Sequence, residues 1–209
     1  MTAKSGLPKA RLECFSDGVI AIVITLLVLE IKIPQVAVDH GEAALIAAIW
    51  HELPKFVSYF VSFFVLAVWW VVHHQFFHFV HTIDRKLIWF NNVFLMWLCL
   101  IPFPTALLGE YPSTRTAACL YGAVTTLAAT TFFCMRRYAS VQARLLDPDI
   151  PQKVIDQSLK RSVMAPLLHG LAAAIAVIAP SIALTIYAVL ALYFAFPAPL
   201  DRHLTQQGT

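Results

Sequence analysis

The sequence predicts an all-α integral membrane protein with six transmembrane helices per chain, and three observations predict it. Of 209 residues, 59% are hydrophobic and only 13% charged, about half the charged share of a soluble domain. Mean hydropathy is +0.72. The 15 basic and 12 acidic residues are bunched between long apolar runs. So little polar surface does not coat a globule, which excludes a soluble enzyme, a disordered tail and a nucleic-acid module. The spans are expected to be helices, because backbone groups in lipid must bond within their own segment. The net charge of +3 names no partner, but the placement of Lys and Arg sets orientation.

The first span is Cys14 to Ile33, about 30 Å as a helix. It follows Lys4, Lys9 and Arg11 without a small-residue cleavage site, so it reads as a retained span rather than a signal peptide. Pro34 to Pro54 is mixed; Val36, Ala44, Leu45, Ala48, Ile49 and Trp50 suggest a short interfacial helix. The second span is 55–74, its helix continuing to His81. After Asp84-Arg85-Lys86 the third span covers 87–108, and Gly109-Glu110-Tyr111-Pro112-Ser113 turns the chain by composition. The fourth is 117–135, stopped by Arg136-Arg137. From 136 to 161 the composition is polar: a cytoplasmic loop, with a short amphipathic helix opening at Ile150-Pro151. Leu167 to Leu200 carries no charge, room for two crossings joined at Ala179-Pro180-Ser181; the fifth and sixth spans are placed at about 163–178 and 181–196. The whole chain, 1–209, is one transmembrane domain. Cys14, Cys99, Cys119 and Cys134 lack a CxxC spacing and read as small buried thiols.

In that arrangement Lys4, Lys9, Arg11, Arg85, Lys86, Arg136, Arg137, Arg144, Lys153, Lys160, Arg161 and Arg202 share one side, and Lys32, Lys55 and Arg115 the other. Twelve against three puts both termini in the cytoplasm. Trp50 and Tyr111 then fall at the outer interface and Trp69, Trp70 and Trp89 toward the inner one.

The sharpest chemical feature opens the first span, where Arg11, Phe15, Ser16, Asp17 and Gly18 bring an acid into an apolar helix. Ionisable groups at membrane depth are usually paired and functional; near the interface, helix capping is the simpler alternative. Trp70, His73 and His74 reach the same depth if the first two spans are antiparallel. Further along, Ile22, Thr25 and Leu29 share one helical stripe, which suits a lipid- or core-facing surface. In a symmetric ring of such helices it suits a narrow apolar constriction beside a hydroxyl ring. His74, His78 and His81 are spaced to converge on a metal, but no Glu or Cys nearby completes a fourth ligand, and a polar interface explains them as well. No nucleophile motif, HExxH or phosphate loop is present, so no enzyme and no cofactor are expected. Without a TVGYG-like loop a carbonyl-lined potassium filter is also absent.

Arg11-xxx-Phe15-Ser16-Asp17 resembles the RxxxFSD signature of the transmembrane protein 175 family of potassium channels. Trp70-Val-Val-His73-His74 is similar to its W-x-N-H-H, departing at Val72. Leu87-Ile-Trp-Phe-Asn91-Asn92 and Pro102-Phe103-Pro104-Thr105 are similar to the start and end of its third helix. With one such motif the chain is identified as a member of the prokaryotic branch. That resemblance implies a homotetrameric cation channel in a prokaryotic plasma membrane, moderately selective for potassium over sodium, with four first helices around the pore. It maps the constriction onto Ile22, the filter hydroxyl onto Thr25 and a second aliphatic layer onto Leu29. Arg11, Phe15, Ser16 and Asp17 become a packing network with Trp70 and His73 or His74, with no metal. The residues alone leave a second class open, a proton-coupled transporter or exchanger using Asp17 with His73 or His74. No broken helix pair or inverted repeat speaks for it.

The charge asymmetry makes a topological prediction: epitope tags at both ends of the chain are shielded from external reagents in intact cells. An externally labelled C-terminus would mean an odd number of crossings after Arg161.

Overall fold

The computed structural model describes residues 8–35 and 41–196, and every named element among them is helical. The expectations for Lys4, Val36 and Arg202 lie outside the described residues. Helix α1 spans Lys9–Leu26 and tightens into a 3-10 turn at Leu27–Glu30. Then follow α2 (Gly41–His51), α3 (Leu53–His78), α4 (Arg85–Leu100), α5 (Pro102–Glu110) and α6 (Arg115–Arg137), which runs into a π turn at Tyr138–Gln142. The last two are α7 (Gln152–Ala176) and α8 (Pro180–Ala195). Among the described residues four segments are long and apolar enough to cross a membrane: Lys9–Glu30, Leu53–His78, Arg85–Glu110 and Arg115–Gln142. Helix α7 is as long, but its first turns carry Lys153, Asp156, Lys160 and Arg161; α8 is apolar and shorter, at 16 residues.

Sequence explains most boundaries. Pro54 opens α3 and Pro180 opens α8, where a missing N–H costs nothing. Asp84 caps α4, its carboxylate accepting from the Leu87 N–H at 2.8 Å. The third expected span is interrupted at Ile101. Pro102 and Pro104 lack the amides that would bond the carbonyls of Leu98 and Leu100, and the Ile101 N–H takes up the Leu98 carbonyl at 3.0 Å. The stretch 136–161 differs more from expectation. Helix α6 and its π turn absorb the beginning and α7 the end, leaving 143–151 as the connection, and Arg136 is buried rather than in solvent. Ile150-Pro151 does open a helix, but one that continues unbroken into the bundle. That connection is tied to the one after α3: the His81 N–H donates to the Leu145 carbonyl at 2.8 Å and the Asp147 N–H to the Phe79 carbonyl at 3.0 Å.

Helix α6 is the centre of the bundle, packed along α7 and α4 and touching α5 and α8; α3 packs on α5 and α8, and α1 leans on α3 and α4 at the periphery. α2 buries no residue. The core is aromatic, with Trp69 edge-on to Phe94 and Phe132 at 5.4 and 5.6 Å between centroids. Trp69 is therefore a core residue, not part of an inner belt; Trp70 and Trp89 keep exposed faces. The cysteines also depart from expectation: Cys14, Cys99 and Cys134 are exposed on the single chain and Cys119 is half-buried. A second buried polar set joins three helices, Ser62 on α3 with Thr105 on α5 at 2.8 Å and with the Tyr121 hydroxyl on α6 at 3.3 Å.

Helices α6, α7 and α8 approach so closely at Gly122 that a Cβ there would sit 2.1 Å from the Tyr187 hydroxyl oxygen and 2.6 Å from the Ala173 Cβ, the small-residue contact that membrane helices favour. Gly122→Val is expected to cost about 1–3 kcal/mol through overpacking. Gly170→Ala, whose new methyl would meet only Thr126 at 3.7 Å, is expected to be neutral or stabilising by up to about 1 kcal/mol. Unfolding midpoints in detergent test the pair; equal effects would contradict the packing.

Candidate functional site

Helix α1 divides into two faces. Leu12, Ser16, Ile20, Val23 and Leu27 are buried against α3 and α4. On the opposite face Arg11, Phe15, Gly18, Ile22, Thr25 and Leu29, in alternating steps of four and three, are all exposed, Ile22 at 59% and Leu29 at 68%. The 3.6-residue helical period makes this one continuous stripe. It loosens at Leu29, which lies in the 3-10 turn, where Val28 is exposed as well. The Thr25 hydroxyl donates to the Ile22 carbonyl at 2.8 Å, so its oxygen lone pairs are left for a partner outside the helix.

The buried face carries a directed chain of hydrogen bonds. The Asn91 side chain on α4 donates through Nδ2 to the Ser16 hydroxyl oxygen at 2.9 Å, and its Oδ1 lies 2.8 Å from His73 Nε2 on α3. The Ser16 hydroxyl in turn donates to the Leu12 carbonyl at 2.8 Å. Because the Asn91 oxygen only accepts, Nε2 of His73 must carry the hydrogen, which fixes the tautomer by the network. Ser16, Asn91 and His73 are all buried, and the His73 ring stacks on Phe94 at 5.9 Å and 7°. Three helices are thereby joined where a lost partner has no water to replace it.

Asp17 belongs to a separate contact one position along the helix. Its carboxylate accepts from the Trp70 indole N–H at 2.9 Å, and Trp70 in turn stacks on His74 at 5.6 Å. Of the expected cluster the structure thus joins Ser16 with His73, through Asn91, and Asp17 with Trp70 and His74. Arg11 and Phe15 are exposed and stand apart on the outer stripe. Among the described residues no three His, Cys, Asp or Glu side chains gather as a metal would require. The expected helical triad is broken because α3 ends at His78, leaving His81 in the connection. Sequence reasoning missed the linking role of Asn91. Its signal was an amide one turn inside an apolar span, opposite a serine and a histidine on two other spans.

Asn91→Ala would orphan two buried groups and is expected to cost about 1–3 kcal/mol. Trp70→Phe, which removes one bond at the surface, is expected to cost about 0.5–1.5 kcal/mol. Chemical denaturation in detergent compares them, and a larger loss for Trp70→Phe would contradict the ranking.

Comparison with known proteins shows the family. The family profile described as "Endosomal/lysosomal potassium channel TMEM175" matches residues 11–102. A potassium channel of Chamaesiphon minutus is 36% identical over 190 residues, 88% of this chain and 92% of that one. A potassium channel of Streptomyces collinus is 34% identical over 194 residues, 89% and 91% of the two chains. The crystal structure of a lysosomal potassium-selective channel TMEM175 homolog from Chamaesiphon minutus superposes with a TM-score of 0.79 at 34% identity, covering 90% of this chain and 96% of that one. With its apolar spanning helices, the chain is a multi-pass membrane protein that belongs to the TMEM175 family of ion channels, not to an enzyme family.

Proposed function

We propose that this chain is one subunit of a homotetrameric cation channel, moderately selective for potassium over sodium, whose pore is lined by α1 from four copies and is narrowest at Ile22. The observation that carries this reading is the division of α1. One face is anchored by apolar packing and the Ser16–Asn91–His73 link, while the other presents Gly18, Ile22 and Thr25, and Leu29 in the following 3-10 turn, as an exposed stripe at the edge of the bundle. Four such stripes around an axis make a ring of isoleucines with a ring of hydroxyls beside it and a looser leucine layer beyond. The relatives named as potassium channels support the ion.

Discrimination at such a site is a matter of dehydration. An aliphatic ring offers no oxygen to replace water, so an ion passes by shedding part of its shell, which costs potassium less than the smaller sodium; neighbouring Thr25 oxygens with outward lone pairs offset part of that cost. We read six crossings: α1, α3, the broken α4–α5 pair, α6, α7 and α8. The basic residues then gather on the cytoplasmic side of a prokaryotic plasma membrane. The Ser16–Asn91–His73 and Asp17–Trp70 contacts position the pore helix, with Arg11 and Phe15 at its mouth. A transporter built on Asp17 and His73 or His74 finds less support: Asp17 is bonded to Trp70 and His73 to Asn91, which leaves no direct acid–imidazole pair.

In planar bilayers Ile22→Asn is expected to raise unitary conductance and lower the preference for potassium, and Ile22→Cys to make current sensitive to a thiol reagent. Absence of unitary currents, with Ile22→Asn leaving cation flux unchanged, would overturn the pore together with the roles of Thr25 and Leu29.

A further inference from the structure

Away from α1, a slot runs between α3, α6, α7 and α8, and the space in it open to the centre of a water molecule is about 50 Å³. Four of the side chains that line it hold polar groups not spent elsewhere. Trp69 on α3 and Ser162 and His169 on α7 are each more than nine-tenths buried, and Gln75, further along α3, is half-buried. Among the described residues the Trp69 indole N–H, the Ser162 hydroxyl and the Gln75 amide make no hydrogen bond. His169 spends one nitrogen only. Its Nδ1 lies 2.8 Å from the Ala165 carbonyl, which can only accept, so in the neutral ring Nδ1 carries the hydrogen and Nε2 is left as an acceptor.

The backbone adds a further demand at the same place. Pro166 stands inside α7 and has no N–H to offer the Ser162 carbonyl four residues earlier. Polar groups at such depth are costly without partners, and in membrane helices a proline's missing bond is made good by hydroxyl side chains and ordered water. The rings of Trp69 and His169 face each other with centroids 6.3 Å apart. One is a donor, the other an acceptor, and no direct bond joins them; a bridging water accepts from the first and donates to the second.

We propose that the slot is a hydration site holding a file of about three ordered waters, which runs from Ser162 and Gln75 to Trp69 and His169. Volume and length agree on that number. An enclosed water needs about 10–15 Å³ for its centre, and the slot has room for about three. Seven residues separate Ser162 from His169, a helical rise of about 10.5 Å, and three waters bridge such a gap through four hydrogen bonds of about 2.8 Å each. The file stops at His169, because the Tyr187 hydroxyl beyond it is turned to the Ala118 carbonyl at 3.4 Å. Water therefore braces α7 against α3 at Pro166 and supplies no second route through the bundle. The site carries no residue of the α1 stripe, so it stands or falls independently of the pore.

Magic-angle-spinning NMR of the full-length protein in lipid bilayers, with isotope-labelled histidine, tests the proposal; the His169 signals are identified by their loss in His169→Gln. The buried His73, bonded to Asn91 and stacked on Phe94, is the internal standard for a dry ring. His169 is expected to carry its hydrogen on Nδ1 and to receive polarisation from water at Nε2 several-fold faster than the His73 ring does. Ser162→Val, which exchanges the hydroxyl for methyl groups, and Gln75→Leu on the other wall are each expected to bring that transfer down toward the His73 level. The half-buried position of Gln75 keeps the test alive should Ser162→Val fail to fold. Transfer to His169 no faster than to His73 would mean a dry slot and overturn the proposal. A hydrogen found on Nε2 in place of Nδ1, or undiminished transfer in either folded variant, would overturn it as well.

Discussion

The amide of Asn91 is the constraint on which the arrangement of this subunit turns. It is buried at the meeting of α1, α3 and α4, gives one hydrogen to Ser16 and takes one from His73. Apolar packing alone holds a peripheral membrane helix loosely, because lipid tails compete for the same aliphatic surface. A directed polar link specifies which face turns inward, since rotating α1 by one residue would carry Ser16 away and leave the buried Asn91 amide N–H without its acceptor. With Ser16 fixed inward, helical geometry sends Ile22, Thr25 and Leu29 outward. The orientation of the exposed stripe is a consequence of the anchor.

The acid beside the anchor plays a different part from the one its sequence position suggests. Asp17 is one residue past Ser16, hence on the shoulder of the helix, where it reaches Trp70 rather than the buried imidazole. Trp70 is stacked on His74. The adjacent histidines of α3 accordingly serve two contacts on two sides of the helix, His73 within the core and His74 at its surface.

Much of the fold was legible in the sequence because long apolar runs and proline positions act locally. The helices carrying the first four spans and the short helix after the first follow from composition; the break of the third at Ile101 was not read from the sequence, although the missing amides of Pro102 and Pro104 account for it. The extent of α6 and α7 was not legible. Their polar ends look like solvent loop, yet Arg136 is buried against Phe76 and Phe132 with its fork on Ser158, a contact made between residues far apart in sequence. Trp69 was misplaced for a related reason: an interfacial tryptophan and a core tryptophan look alike until the partners Phe94 and Phe132 are known. At the site, helical spacing singled out Ile22, Thr25 and Leu29, and all three are exposed on one face. The pairing of Ser16 with His73 through Asn91 needed three helices to be placed at once.

The central claim is that the exposed face of α1 is turned toward other copies of the same helix. A structure of the full-length protein in lipid nanodiscs tests it most directly. The account predicts four copies about a central axis, with Ile22 from each at the narrowest point, Thr25 and Leu29 facing the same axis, and the Ser16–Asn91–His73 chain intact within each subunit. A particle in which Ile22 contacts lipid, or in which α1 lies on the outer wall of the assembly, would contradict it.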